Sequence, residues 1–194
     1  ATLRDLADRA DDATGALAVV DEESEVSYFE IAMPDIEGAT DHDLPATPGL
    51  LLADRVLVAD PPTALHERAF YGQPLGEDTV QLSLVEAAHL ADCGLLRVET
   101  DESGEGGARA AVLDRGRGVE GERFDRRLRV YSTLREHGVV PKTGFKFGAD
   151  FRTYAEVESV ENLGHSERLV RDLPAAYTFT PRDLALDVRL AHGV

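Results

Sequence analysis

Residues 142–154 read Lys-Thr-Gly-Phe-Lys-Phe-Gly-Ala-Asp-Phe-Arg-Thr-Tyr, and from Gly144 onward this stretch alternates between apolar and polar side chains. Successive side chains of a β-strand point to opposite faces, so the alternation predicts a strand with three Phe rings directed into a core. The opposite face would carry Lys146, Asp150, Arg152 and Tyr154. Amphipathic strands usually present such a face to water, so the alternation alone predicts a strand and not a functional site.

Four other motifs accompany this stretch in a fixed order. Leu82-Ser-Leu-x-Glu-Ala87 and Tyr131-x-x-Leu-Arg-x-x-Gly138 precede it, and His165-Ser-Glu-x-Leu-Val170 and Val188-Arg-Leu-Ala-His192 follow it. Together the motifs resemble the archaeal tRNA-splicing endonucleases. The resemblance begins near residue 17 and continues to residue 194.

This resemblance implies an α+β fold with four parts. Residues 1–33 would be the C-terminal hairpin of a preceding structural repeat, and residues 34–47 would be a linker. Residues 48–122 would form a small N-terminal α/β subdomain. Residues 123–194 would form a catalytic α/β/α subdomain with a mixed, nuclease-like sheet.

Local patterns predict the individual elements. Alternation and an acidic turn predict a hairpin of strands at 17–20 and 26–31. A capping signal at Ser83 and Glu86 predicts a helix within 81–94, and an apolar stripe predicts another within 124–138. The last helix should begin after Thr180, with Pro181 in its first turn.

The resemblance also implies a reaction. In this family the ribose 2′-hydroxyl attacks its own phosphodiester, which leaves a 2′,3′-cyclic phosphate and a 5′-hydroxyl. Tyr154 corresponds to the general base and His165 to the general acid. The family's catalytic lysine follows the Val-Arg-Leu-Ala helix, and this sequence has no lysine at that place. We therefore expect a chain truncated at both ends. Lys142 and Lys146 do not match the motif of the catalytic lysine.

The resemblance assigns recognition roles as well. Arg189 corresponds to an arginine that stacks on a flipped-out base of the bulge-helix-bulge in precursor tRNA, although an exposed helical Arg often only covers apolar surface with its stem. The hairpin tip of Asp21, Glu22, Glu23 and Glu25 would dock into a basic pocket of a partner subunit, in a homodimer of tandem-repeat chains. From the residues alone, a charged tip of this kind is usually only a solvated loop.

Composition sets further limits. The chain has 37 acidic and 20 basic residues and a net charge of −17, the wrong sign for binding nucleic acid through bulk electrostatics. An acidic surface poor in Lys is typical of proteins from salt-rich cytosols, so we expect a halophilic source. The single cysteine, Cys93, excludes an internal disulfide and favours a cytoplasmic location. No apolar run is long enough to span a membrane, and no secretory signal is visible.

The sequence indicates neither a metal site nor a cofactor. His89 and Cys93 are four residues apart on a predicted helix, but two ligands do not make a zinc site. Two alternatives to an active endonuclease stay open. One is a catalytically silent structural subunit of the same assembly. The presence of both Tyr154 and His165 argues against it. The other is an acidic interaction domain without RNA chemistry.

Overall fold

The computed structural model describes residues 3–8, 15–20, 24–40, 43–99 and 107–191. Two compact units contain them: residues 1–36 with 175–193, and residues 37–174. The helices are α1 (Leu3–Asp8), α2 (Thr63–Glu67), α3 (Leu84–Asp92), α4 (Gly107–Glu120), α5 (Arg123–Glu136) and α6 (Pro181–Ala191). The strands are β1 (Gly15–Val20), β2 (Val26–Ile31), β3 (Thr47–Leu51), β4 (Arg55–Ala59), β5 (Gln73–Pro74), β6 (Thr79–Ser83), β7 (Leu96–Glu99), β8 (Val140–Thr143), β9 (Phe151–Tyr154) and β10 (Arg168–Val170).

The first unit contains the predicted hairpin and the last helix. Strands β1 and β2 pair antiparallel from Gly15↔Ile31 to Val20↔Val26. The Thr180 hydroxyl accepts a hydrogen bond from the Asp183 N–H, and the Asp183 carboxylate accepts one from the Thr180 N–H. This reciprocal cap fixes the start of α6 and confirms the predicted boundary.

In the second unit, β3 to α4 form a first subdomain around a five-stranded sheet in the order β5-β6-β4-β3-β7. Only β3 and β7 are parallel, so the sheet is mixed. Helix α3 begins with the predicted capping box, in which Ser83 and Glu86 exchange hydrogen bonds. It starts later than expected, at Leu84, because Gln81 and Leu82 pair with β4.

The second subdomain runs from α5 to β10. Helix α5 buries the predicted stripe of Phe124, Leu128, Tyr131 and Leu134. Its sheet has the order β10-β9-β8, and both pairings are antiparallel. The α+β class is therefore confirmed, but among the described strands the mixed pairing lies in the first subdomain and not in this sheet.

The long strand expected from Gly144 to Tyr154 is wrong in its first half. Residues Phe145–Phe147 form a 3-10 turn that ends at Gly148, whose φ of 66° is in the left-handed region that glycine adopts most easily. The Phe145 side chain is 87% exposed, and only β9 is extended. The apolar alternation therefore crosses a turn between two strands.

The segment expected to be a linker is anchored to the second subdomain. The N–H groups of Gly38 and Thr40 donate to the carbonyls of His137 and Gly138 at 2.8 and 3.0 Å, and the Ala39 N–H donates to Ala155 at 2.7 Å. A Cβ at Gly38 would lie 2.3 Å from the Gly138 oxygen, so the two backbones meet where only glycine fits. Residues 38–40 are thus part of the packed unit.

Candidate active site

Tyr154 ends β9, opposite Val140 on β8. The residue is only 3% exposed, and its ring packs against Phe70 with the centroids 6.0 Å apart. Burial raises the pKa of the Tyr154 phenol above its ordinary value, and the nearby charge of Arg152 partly opposes that rise. The alternation had placed this side chain on a solvent face, so its burial corrects that expectation.

His165 is exposed in the connection that leads into β10. Strand pairing brings this connection to the end of β9, because the Glu167 N–H donates to the Thr153 carbonyl at 2.9 Å. The Glu167 carboxylate in turn accepts a hydrogen bond from the Ala155 N–H at 3.2 Å. The segments that carry His165 and Tyr154 are therefore joined on both sides of Tyr154.

Sequence reasoning missed a buried ion pair beneath these segments. The Lys142 ammonium on β8 lies 3.2 Å from the Glu86 carboxylate on α3, and both residues are buried. Glu86 also accepts hydrogen bonds from the N–H groups of Ser83 and Gly72. Burial alone would raise the pKa of Glu86, but Lys142 and these donors hold it below its ordinary value. The pair joins the two subdomains.

Phe70 connects this ion pair to Tyr154. The Lys142 ammonium donates to the carbonyls of Phe70 and Gly72 at 3.0 and 2.8 Å, and it lies 4.5 Å from the centroid of the Phe70 ring. Phe70 has a φ of 56°, a conformation that costs a bulky residue about 1–3 kcal/mol. That strained conformation accompanies both the carbonyl contact to Lys142 and the ring contact to Tyr154. No sequence pattern identified Phe70.

A cleft of about 300 Å³ opens between the two subdomains. Glu86 and Gln81 of the first subdomain and Tyr131 and Lys142 of the second are among its lining residues. Arg55 and Arg127 also line it; Arg55 is bonded to Asp54 and Arg127 to Glu120. The lining of the cleft therefore contains three cationic side chains, each paired with a carboxylate: Arg55 with Asp54, Arg127 with Glu120 and Lys142 with Glu86.

The remaining predicted residues lie on other elements of the chain. Arg189 is exposed on α6, in the first unit. Of the acidic tip, Glu25 is exposed just before β2, whereas Asp21, Glu22 and Glu23 lie outside the described residues. The His89 ring reaches Cys93, with Nε2 and Sγ 3.8 Å apart, and its Nδ1 lies 3.0 Å from the Ser132 hydroxyl.

Two kinds of feature are absent from the described part of the chain. Within residues 3–8, 15–20, 24–40, 43–99 and 107–191, no three His, Cys, Asp or Glu side chains come together as metal ligands. Nor does any described helix have both the length and the apolar character needed to cross a bilayer.

Comparison with known proteins identifies relatives along most of the chain. The family model "tRNA intron endonuclease, catalytic C-terminal domain" matches residues 124–194, and the corresponding N-terminal domain model matches residues 47–108. A tRNA-splicing endonuclease of Haloarcula marismortui is 62% identical over 192 residues, which cover 98% of this chain and 55% of the relative. That of Natronomonas pharaonis is 63% identical over 182 residues, or 92% of this chain and 52% of the relative.

The similarity also extends to a methanogen. The tRNA-splicing endonuclease of Methanosarcina mazei is 40% identical over 182 residues, which cover 92% of this chain and 51% of the relative. The chain thus spans about half the length of the curated relatives it matches. The salt-adapted organisms among them agree with the acid-rich, Lys-poor composition.

Proposed function

This chain belongs to the tRNA-splicing endonuclease family, and on that basis we propose that it carries one active site of an enzyme that removes introns from precursor tRNA. The substrate is a bulge-helix-bulge, cut at both intron boundaries in the cytoplasm. The products are a 2′,3′-cyclic phosphate and a 5′-hydroxyl. Arg189 stacks on an unpaired base of the bulge, since a planar guanidinium suits an exposed base face.

In the proposed reaction, Tyr154 takes the proton from the ribose 2′-hydroxyl. The freed oxygen attacks the adjacent phosphorus, and the bond from phosphorus to the 5′-oxygen breaks. His165 gives a proton to that leaving oxygen, since an imidazole is the side chain that most often acts as a general acid. These steps use the chain's own acid and base, without a metal ion.

One observation carries this proposal: the β9–β10 pairing joins the Tyr154 and His165 segments. The Glu167 N–H bonds to the Thr153 carbonyl next to Tyr154, and His165 stands two residues before Glu167. An acid and a base for opposite sides of one phosphodiester need to lie on neighbouring segments, and these residues do. A purely acidic interaction domain would not require that arrangement.

The test is single-turnover cleavage of a bulge-helix-bulge RNA by the protein that carries this sequence, at a fixed KCl concentration. His165→Ala should lower the cleavage rate by about two to four orders of magnitude, the usual contribution of a positioned general acid, while RNA affinity changes little. His137→Ala is the matched control, because His137 is exposed at the end of α5. Equal rates for His165→Ala and the wild type would refute the assignment, and a wild-type protein that binds RNA without cutting it would favour the silent-subunit alternative.

The acidic tip has a proposed role in assembly. Asp21, Glu22, Glu23 and Glu25 dock into the intersubdomain cleft of a second chain, where exposed Arg55 exchanges its surface partner Asp54 for the incoming carboxylates. Charge complementarity supports this pairing. It hides acidic side chains from the RNA, and it pairs two active sites with the two bulges of one substrate.

Charge reversal tests this assembly. Asp21→Lys with Glu23→Lys should convert dimers to monomers in light scattering, and adding Arg55→Glu should restore part of the dimer. Glu77→Lys with Asp78→Lys is the control, because both side chains are exposed on a turn before β6. If the first variant still forms dimers, the proposed docking is wrong and the tip is only a solvated loop.

A further inference from the structure

The guanidinium of Arg152 lies near two aromatic rings, one of which is the ring of the proposed base. Its central carbon is 5.6 Å from the centroid of the Tyr154 ring and 5.9 Å from that of Phe147. Arg152 and Tyr154 are two residues apart on β9, so their side chains leave the same face of the strand. The arrangement fixes a positive charge beside the phenol.

This charge is not neutralised within the described part of the chain. There, no carboxylate forms an ion pair with Arg152, and its Nε is buried without a hydrogen-bond partner. Three arginines of α5 differ: Arg123 pairs with Asp150, Arg126 with Asp172 and Arg127 with Glu120. Arg152 as a whole is half-buried, so the charge of its guanidinium is screened less than that of a fully exposed side chain and acts more fully on its neighbours.

Other charged groups around Tyr154 come from each neighbouring element. On β8, Lys142 is the register partner of Arg152 and sits over the Phe70 ring. On the β10 side, Glu167 bonds to the N–H that follows Tyr154, and exposed His165 precedes it. On α2, the His66 ring packs edge-on against Phe70, with centroids 5.7 Å apart. Of these groups, Arg152 is the one whose guanidinium contacts the Tyr154 ring itself.

We propose that Arg152 is a positioning residue for the reaction: it holds the Tyr154 ring in place and stabilises the phenolate that accepts the 2′-hydroxyl proton. The Phe147 ring, 5.9 Å from the central carbon, is the second aromatic contact of this guanidinium. This inference rests on the proposed function, because it presumes that Tyr154 is the base. No other reactant is needed, since the proton moves from the ribose oxygen to the Tyr154 oxygen.

The proposal has a kinetic consequence. The reaction needs Tyr154 in its anionic form, which only a small fraction of molecules holds at neutral pH. Burial raises the pKa of Tyr154, and Arg152 opposes the rise. Removal of the Arg152 charge reduces the reactive fraction further, and a more acidic phenol at the same position restores it.

The experiment combines a titration with cleavage rates. A fluorinated tyrosine at position 154, whose phenol titrates at lower pH, is followed by fluorine NMR in the free protein. Arg152→Gln should move its midpoint to higher pH, while Arg152→Lys should stay near the wild type. The matched control is Arg168→Gln, an exposed arginine on β10 opposite Thr153.

With ordinary tyrosine at position 154, Arg152→Gln should cleave bulge-helix-bulge RNA roughly tenfold more slowly at neutral pH, as expected for loss of a charge 5.6 Å from the ring centroid of the base. Fluorotyrosine should restore most of that loss, which a merely structural defect would not allow. An unchanged titration midpoint in Arg152→Gln overturns the inference. A displaced midpoint with unchanged cleavage rates instead overturns Tyr154 as the base, so the two failures are distinct.

Discussion

Replacement of Lys142 by Met would test whether the buried ion pair holds the two subdomains together. Met fills a similar volume but cannot donate to Glu86 or to the carbonyls of Phe70 and Gly72. Loss of one partner of a buried pair leaves the other charge uncompensated and typically costs about 3–5 kcal/mol. We expect Lys142→Met to lower the free energy of unfolding by that amount.

A double-mutant cycle separates the pair from the packing around it. Glu86→Gln keeps the side-chain shape and removes the charge, so Lys142→Met with Glu86→Gln should be less destabilised than the sum of the two single variants. Denaturant unfolding at two fixed KCl concentrations is the assay. The cost should persist at high salt, because buried pairs are screened weakly. Asp54→Asn, which removes the partner of exposed Arg55, should be indistinguishable from the wild type.

Acid pH gives an independent check on the same pair. The folded-state pKa of Glu86 is depressed, so its stabilising contribution is present above its unfolded pKa and is lost as the pH falls through the folded value. Once Glu86 is protonated, the unpaired-carboxylate penalty in Lys142→Met disappears. The difference in stability between variant and wild type should therefore narrow at acid pH. A cost below about 1 kcal/mol, or a pH-independent difference, would refute this account of the pair.

Three other outcomes follow from the structure. Burial lowers the pKa of His89 from 6.5 to about 4, so the free energy of unfolding should fall by up to about 3 kcal/mol as the pH drops between those values. In acid unfolding of His89→Gln this fall should be missing. An identical pH dependence of stability in the variant and the wild type would contradict the prediction. In denaturant unfolding, Phe145→Ser should change the free energy of unfolding by less than about 0.5 kcal/mol, because Phe145 is exposed, whereas Phe151→Ala should lower it by about 3–5 kcal/mol. A larger loss for Phe145→Ser than for Phe151→Ala would instead favour the long strand expected from the sequence. Cleavage should continue in excess chelator, and activity that returns only with added magnesium would show a metal requirement.

The elements that the sequence predicted well have local causes. The capping signals at Ser83 with Glu86 and at Thr180 with Pro181 place helix starts within a few residues, because each cap bonds to backbone three residues away. The stripe on α5 was equally reliable, since its spacing is that of one helical face. The length of α3 was overestimated because pairing with β4, which is distant in sequence, claimed its first residues.

The predictions that were missed or wrong concern contacts between residues that are far apart in the sequence. Glu86 and Lys142 are far apart in the sequence, and neither pattern nor spacing predicts that they meet. The alternation around Phe145 was misleading, because two glycines allow a turn inside an otherwise strand-like pattern. Burial of Tyr154 depends on Phe70, which belongs to the other subdomain.

One useful pattern was available but was missed. Thr2-Leu-Arg-Asp-Leu-Ala7 and Thr180-Pro-Arg-Asp-Leu-Ala185 differ at a single position, and Gly15 and Gly193 follow them at the same distance. Both stretches contribute helices, α1 and α6. Similarity at a fixed period is typical of repeated units. The interpretation of residues 1–33 as the end of a preceding repeat stays a prediction.

The contacts of Lys142 connect the docking of the subdomains with the position of the proposed base. The same ammonium binds Glu86 on α3 and the Phe70 carbonyl, and the Phe70 ring covers Tyr154. A change that separates the subdomains must therefore release Phe70 from Tyr154. Substitutions at Glu86 should then lower the cleavage rate, although Glu86 itself does not contact the RNA. The loss of rate should be proportional to the fraction of molecules in which the subdomains have separated. Substitutions at Arg152, which contacts Tyr154 directly, should instead lower the cleavage rate while the subdomains stay docked.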